Sequence, residues 1–280
     1  MKLKEKKYLL KEIGNDLKID KKLLENYLLP RIACLYDLSK YFLVEKYTQR
    51  EWKELITLHY INTLYSPSNE VFRIHFFIKN SVEPENYLGF ITLRDLPEPN
   101  ALLSFVYPNF PIFLPQYKKK FQMEDTKFFV MDYPKPVHLS FKEMFIQTFP
   151  FYSQDGVVAR CAHADIVMVC KYLHKKWNFN SVHIHDIVNS YSFYRTKLFP
   201  SDGLLIYQIA EIFANNRIDI CIKRYGDFKK DFLNILDSVI ESGFPVILAT
   251  KQHVSVLIGH TLKNNSEKDY IIYDDSGYFL

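Results

Sequence analysis

The sequence has few of the features that mark membrane-spanning and disulfide-rich proteins. Its 280 residues contain no run of about 18 apolar residues, so no segment is predicted to span a membrane. Glycine is also scarce, with only 8 residues. The four cysteines, Cys34, Cys161, Cys170 and Cys221, form no CxxC pair and lie among apolar residues. This usage is typical of a reducing compartment rather than of a secreted, disulfide-stabilised domain.

A dense basic stripe is also missing. The net charge is only +4, and the lysine runs at 118–120 and 175–176 are short and far apart. Nucleic-acid binding usually needs basic residues clustered on one face with aromatic residues among them. The N-terminal segment is charged throughout and lacks the apolar core of a signal peptide. We therefore expect a cytoplasmic protein that binds neither nucleic acid nor membrane, and the apolar ending YFL is compatible with a natural chain that continues beyond Leu280.

The composition indicates a folded protein with room for two domains. Apolar residues make up 48% of the chain and aromatic residues 16%, which is ample material for packed cores. Residues 1–145 are predicted to be helical to about residue 62, with Thr48 and Glu51 forming a capping box, and then to form strands. No catalytic pattern occurs in this region. The sequence leaves its role unknown, and binding of a partner or substrate is the candidate.

Residues 146–280 show a different pattern, with helices first and strands afterwards. A long helix is predicted over ARCAHADIVMVCKYLHKKW (159–177), and an amphipathic helix ends near Gly243. Strands are predicted at DICIKRYG (219–226), FPVILAT (244–250), HVSVLIGHTL (253–262) and DYIIYDDSG (269–277). Helices followed by an antiparallel sheet predict an α+β domain.

The strongest candidate for a chemical group is Cys161, at the predicted start of the long helix. A thiol nucleophile needs a base, a group that orients the base, and donors for the oxyanion. Helix N-termini favour the thiolate because their unpaired N–H groups attract negative charge. Gln154, in the preceding loop, can supply an amide donor. His163 lies only two positions after Cys161 and is expected to face another side of the helix.

His253 and Asp274 are the candidates for the base and its orienting group. His253 begins one predicted strand, and Asp274 ends the next, 21 residues later. Two antiparallel neighbours joined by a hairpin would bring these side chains together, so that Asp274 fixes the tautomer of the imidazole. His260 is ranked below His253, because their odd separation places them on opposite faces of a regular strand.

The order Gln, Cys, His, Asp resembles that of the papain-like cysteine proteases, and more closely their double-glycine (bacteriocin-leader) peptidase branch. QDGVVARCAHADIVMV, ESGFPVILAT, HVSVLIGH and YIIYDDSG carry the resemblance, which covers about residues 150–277. It implies a papain-like peptidase domain at 146–280, of bacterial type, that cleaves a protein or peptide substrate without a cofactor or metal. Cys161 would be the nucleophile, His253 the base and acid, Asp274 the orienting group, and Gln154 an oxyanion donor.

Three alternatives stay open at this point. The same triad can transfer an acyl group to an amine, as in transglutaminase-like enzymes. Ala162 stands where the family usually has Gly, and residues 1–145 form a large region without assigned chemistry; both favour a non-catalytic module on the same scaffold. The Gln–Cys spacing is one residue longer than the family norm, which bears on the role of Gln154. A zinc site would draw on Cys170, His174, His183 and His185; it is disfavoured, because a His-x-His on a strand exposes both rings on one face without making them converge with the other two.

Overall fold

The computed structural model describes residues 3–17, 21–64, 67–94, 106–108, 126–139, 142–155, 158–190, 203–251, 253–262 and 268–274. It divides the chain into two compact units. The first unit comprises residues 1–125 and 134–148, and the second comprises 126–133 and 149–280. The sequence pattern predicts a single boundary at 145, whereas residues 126–133 group with the later part of the chain.

The described residues are arranged as an α+β protein with antiparallel sheets. The helices are α1 (Leu9–Leu17), α2 (Lys21–Arg31), α3 (Ala33–Leu38), α4 (Arg50–Leu58), α5 (Cys161–Trp177), α6 (Ile184–Ser190), α7 (Ile206–Asn215) and α8 (Phe232–Glu241). The strands are β1 (Lys4–Glu5), β2 (Tyr41–Thr48), β3 (Glu70–Phe77), β4 (Tyr87–Leu93), β5 (Val106–Pro108), β6 (Lys127–Val130), β7 (Tyr133–Leu139), β8 (Lys142–Thr148), β9 (Val246–Ala249), β10 (Val254–Leu262) and β11 (Tyr270–Tyr273). Within these residues no helix combines the length and the apolarity needed to cross a membrane.

The first unit is built on a five-stranded antiparallel sheet in the order β1-β2-β3-β4-β5, and β7 pairs with β8 separately. All seven residues of β4 are buried, as expected of a strand covered on both faces. From α4, Trp52 and Leu55 are buried. The core of this unit therefore lies on the middle strands of the sheet.

Two predictions for the first unit are wrong. Residues 41–48 are strand β2 rather than helix, because they pair along their length with β3, and this sheet pairing outweighs the local helical pattern. Thr48 is therefore the last residue of a strand and does not cap α4. The N-cap of α4 is Gln49, whose side chain makes no capping hydrogen bond.

The second unit is built around the long strand β10. One edge of β10 pairs with β9 through residues 254–257 and with β6 through residues 259–262, and β11 pairs along the other edge. Gly259 permits the pairing with β6, because a Cβ atom there would lie 2.2 Å from the carbonyl oxygen of Phe129. Helix α5 packs against β10, and α8 packs against β9 and β10.

Two predictions for the second unit also need correction. Residues 219–224 form no strand and are exposed; both edges of β10 are already paired with other strands, so this segment has no partner there. His183 and His185 do not lie on a strand either. The carboxylate of Asp186 accepts a hydrogen bond from the backbone N–H of His183 at 2.9 Å, and this contact starts helix α6.

Candidate active site

Cys161 is the first residue of α5, after Arg160 at the N-cap position. Its side chain is half-buried, whereas the nine residues that follow it, 162–170, are buried. The thiol therefore lies where the helix emerges from the core. The N–H groups of a first helical turn lack partners within the helix and favour negative charge beside them.

Asp155 shapes the loop that leads to Cys161. It is 4% exposed, and its Oδ1 accepts hydrogen bonds from the backbone N–H groups of Val158 at 3.1 Å and Ala159 at 2.7 Å. These bonds hold Val158 and Ala159, just before α5, at the carboxylate of the residue that follows Gln154. Gln154 itself is half-buried.

His253 and Asp274 are hydrogen-bonded to each other through Nε2 of the imidazole and Oδ2 of the carboxylate. His253 immediately precedes β10, and Asp274 immediately follows β11, so the antiparallel pairing of these strands places both residues at one end of the sheet. The Asp274 side chain is 10% exposed and the His253 side chain 44%. The carboxylate is thus buried behind a ring that solvent and a ligand can reach.

The backbone of His253 is fixed by Thr250, at the other end of the β9–β10 turn. The Thr250 backbone N–H and hydroxyl both donate to the carbonyl oxygen of His253 at 2.9 Å, and the hydroxyl accepts from the His253 N–H at 3.1 Å. With Nε2 engaged by Asp274, Nδ1 is the ring nitrogen that can accept a proton from a thiol. The helix that begins at Cys161 packs against β10, the strand that His253 precedes.

An aromatic cluster joins the Gln154 loop to the strand that carries Asp274. The ring of Phe149 stacks on Tyr172 of α5, with 5.0 Å between centroids, and meets the ring of Tyr273 edge-on at 5.6 Å. Phe151 meets Tyr273 edge-on at 5.8 Å. The Tyr273 hydroxyl also donates to the carbonyl oxygen of Phe149 at 3.2 Å. The loop, helix α5 and the end of β11 therefore share one packed core.

The other histidines and cysteines near the site are less suited to proton transfer. His163 is fully buried; its Nδ1 accepts from the backbone N–H of Arg160 at 3.4 Å, and burial lowers the pKa of His163 to about 4. Burial raises the pKa of the Cys170 thiol to about 12. His260 is 1% exposed, and its Nε2 lies 3.0 Å from Glu241 Oε1.

Comparisons with known proteins add nothing to this geometry. The chain matches no protein-family model, no curated protein and no solved structure.

Sequence reasoning missed three residues that build the site. Asp155, Thr250 and Tyr273 fix the Gln154 loop, the His253 turn and the strand that carries Asp274. Asp155 had a local signal, since an Asp side chain in a loop often accepts hydrogen bonds from backbone N–H groups a few residues further along the chain. The contacts of Tyr273 with Phe149 join positions 124 residues apart, and no local pattern indicates such a pair.

Proposed function

We propose that the second unit is a papain-like thiol hydrolase that cleaves a peptide or isopeptide bond through an acyl-enzyme on Cys161. The observation that carries the proposal is the hydrogen bond between His253 and Asp274 at the end of the sheet against which the Cys161 helix packs. A histidine oriented by a buried carboxylate and able to use its other nitrogen is suited to general base catalysis.

In the proposed reaction, His253 Nδ1 takes the proton of the Cys161 thiol, and Sγ attacks the substrate carbonyl carbon. The Cys161 backbone N–H and the Gln154 side-chain amide donate to the oxyanion that forms. The imidazolium then protonates the leaving amine as the C–N bond breaks. Water, deprotonated by His253, releases the acid product and restores the thiol.

Asp274 has two tasks in this scheme. Its carboxylate accepts a hydrogen bond from Nε2–H, which leaves the lone pair on Nδ1 and available to the thiol. The same negative charge stabilises the imidazolium while it holds the thiol proton.

We also propose that the protein works in the cytoplasm, on the ground that the described cysteines, Cys161, Cys170 and Cys221, are all free thiols.

Thiol labelling tests the proposal without a known substrate. The full chain is treated at pH 7 with an epoxysuccinyl probe, and labelled peptides are measured by mass spectrometry. Cys161 is expected to react much faster than Cys221, which is more exposed, and His253→Ala is expected to remove this advantage. Equal reactivity of Cys161 and Cys221 in the folded protein would refute the proposal. Cys170→Ala serves as a control that leaves the labelling of Cys161 unchanged.

A further inference from the structure

A segment without a partner strand lies on the surface of the second unit, between α7 and α8. No turn or bend interrupts the chain from Ile218 to Arg224, and residues 219–224 are all exposed. Among the described residues, the backbone N–H and C=O groups of residues 219–223 form no hydrogen bond to another backbone group. Water therefore satisfies these groups, as it does along the free edge of a sheet.

The composition of this segment is that of a strand rather than a loop. Isoleucine occupies every second position, at Ile218, Ile220 and Ile222, and the sequence 218–224 contains no Gly, Pro or Asn. In an extended chain alternate side chains point to the same side, so the three isoleucines share a face. Ile220 is 40% exposed and Ile222 is 49% exposed. Unpaired backbone groups and exposed side chains at strand spacing are the two features that strand addition requires.

Exposed apolar surface continues from the segment onto α8. The Tyr225 side chain is 63% exposed, and its ring meets that of Phe232 edge-on with 5.1 Å between centroids. Leu233, the next residue of α8, is 57% exposed. Lys223 is exposed as well, and its ammonium lies 4.7 Å from the centre of the Phe228 ring. Apolar side chains rimmed by charged ones are typical of a surface that binds another protein.

The segment is complementary to itself when two copies run antiparallel. A two-fold axis through such a ribbon requires one residue to face its own copy, and Cys221 is the centre of the sequence DICIK (219–223). An axis at Cys221 places Asp219 opposite Lys223. It also places Ile220 opposite Ile222, and the two-fold repeats both pairs. Among the described residues, neither Asp219 nor Lys223 forms an ion pair, so both charges are available, and such directly opposed pairs stabilise an antiparallel ribbon.

The neighbouring two-fold registers are unfavourable. An axis at Ile220 would place Arg217 opposite Lys223, and these charges have the same sign. An axis at Ile222 would place Ile220 opposite Arg224, an apolar side chain against a charged one. Like charges directly opposite each other destabilise a strand pair. Of these three registers, the one centred on Cys221 alone joins opposite charges and keeps the apolar side chains together.

We propose that residues 218–224 form a homodimerisation strand, which pairs antiparallel with the same segment of a second copy about a two-fold axis at Cys221. Main-chain hydrogen bonds join the two strands, and the isoleucines at 220 and 222 of both copies pack on one face. A ribbon of this length buries less surface than a standard interface, so the dimer is weak and dissociates on dilution. The proposal does not depend on the thiol chemistry of Cys161.

Sedimentation velocity of the full chain over a range of concentrations tests the association. The weight-average sedimentation coefficient is expected to rise with concentration towards that of a dimer. Asp219→Lys and Lys223→Asp each place like charges at both ends of the ribbon and are expected to weaken the dimer at least about tenfold. The double variant exchanges the two charges and is expected to dimerise as the unsubstituted chain does.

Mixing the two single variants makes this test specific for the register. In a heterodimer of Asp219→Lys with Lys223→Asp, both charged pairs again have opposite signs, so the mixture is expected to associate although neither variant does so well alone. Asp227→Lys is the matched control, because it makes the same change of charge at an exposed residue outside the ribbon. It is expected to leave the association unchanged.

The Cys221 thiol reports the register directly. Residues that face each other in an antiparallel pair have Cα atoms about 4.5–5.5 Å apart, within the range that a disulfide spans. In a Cys161→Ala background, diamide is expected to link two chains through Cys221, taking up the two protons and two electrons that the thiols release as the S–S bond forms. Moving the exposed thiol, with Cys221→Ser and Asp227→Cys together, is expected to abolish this linkage.

Three results would each overturn the proposal. The first is a chain that stays monomeric at every concentration. The second is an equal loss of association in Asp219→Lys and Asp227→Lys. The third is a mixture of the two single charge variants that associates no better than either variant alone.

Discussion

The imidazole Nε2 of His253 is hydrogen-bonded to the carboxylate of Asp274. These two residues flank a pair of antiparallel strands, β10 and β11. The bond occupies one nitrogen of a half-exposed ring and leaves Nδ1 for chemistry. The carboxylate is 10% exposed and the ring 44% exposed, so a ligand reaches the histidine more readily than the aspartate. The pair therefore gives a direct way to separate orientation from charge.

Substitutions of Asp274 are expected to change the reactivity of Cys161 to different extents. Asp274→Asn keeps an oxygen that can accept the hydrogen bond from Nε2–H, so the alkylation rate of Cys161 by iodoacetamide should fall by no more than about tenfold. Asp274→Ala removes that acceptor and should lower the rate about a hundredfold. The rate constants are measured at pH 7 by mass spectrometry of the Cys161 peptide, with Cys221 as internal reference. An Ala variant as reactive as the unsubstituted protein would contradict the role of Asp274.

Gly259→Ala is expected to destabilise the second unit by about 3 kcal/mol, because of overpacking against a backbone that cannot move without breaking strand pairs. The added methyl carbon would lie 2.2 Å from the Phe129 oxygen and 2.9 Å from the Val130 Cα. Urea unfolding measures the change as a lower midpoint. Gly226→Ala is the matched control, since nothing lies within 4 Å of a Cβ there. Equal midpoints for the two variants would show that β6 does not approach β10 so closely.

His163 is expected to make the fold sensitive to acid. Its pKa is about 4 in the folded chain and about 6.5 in an unfolded one, so between these values the unfolded state binds the extra proton. The contribution of His163 to the free energy of unfolding is complete above pH 6.5. It is lost as the pH falls towards 4, and the total loss is about 3 kcal/mol. His163→Asn keeps an acceptor for the Arg160 N–H but cannot titrate.

The free energy of unfolding of both proteins, measured from pH 7 to pH 4, tests this sensitivity. The Asn variant should lose less stability over that range than the unsubstituted protein. His138→Asn, at a ring that is 75% exposed, should follow the unsubstituted protein. Parallel curves for His163→Asn and the unsubstituted protein would contradict the prediction.

Tyr273→Phe is expected to destabilise the protein by about 1–2 kcal/mol, because it leaves the buried Phe149 carbonyl without this donor while keeping the aromatic packing. It should also slow alkylation of Cys161, since Phe149 begins the segment that leads to Gln154 and α5. Thermal unfolding and the alkylation rate are measured together. Tyr207→Phe, at a residue 62% exposed, should change neither. A loss of stability without a change in rate would show that the cluster supports the fold but not the site.

The parts of this fold that the sequence predicts are those with strong local patterns. The amphipathic helix α8 and strands β9, β10 and β11 lie where periodicity and turn residues place them, and a hairpin between β10 and β11 was enough to expect His253 beside Asp274. Residues 41–48 were misread, because pairing with β3 decided their structure. Residues 219–224 have strand composition, yet composition cannot reveal that a segment lacks a strand to pair with.

The residues of the candidate site also fall into two groups, those recognisable from the sequence and those that only the folded structure reveals. Cys161, His253 and Asp274 are chemically distinctive and could be picked out in sequence, whereas Asp155 and Thr250 act through backbone contacts that only folded geometry reveals.

The pairing of Val130 with Gly259 has a consequence for how the chain is made. Strand β6 leaves the ribosome more than a hundred residues before its partner β10. It therefore has no β10 to pair with while most of the second unit is synthesised. A chain shortened to begin at residue 146 would lack β6 entirely, and residues 259–262 of β10 would then present an open strand edge, which invites aggregation. Expression of the second unit on its own should therefore retain residues 126–133, for example by joining them to residue 149 through a flexible linker.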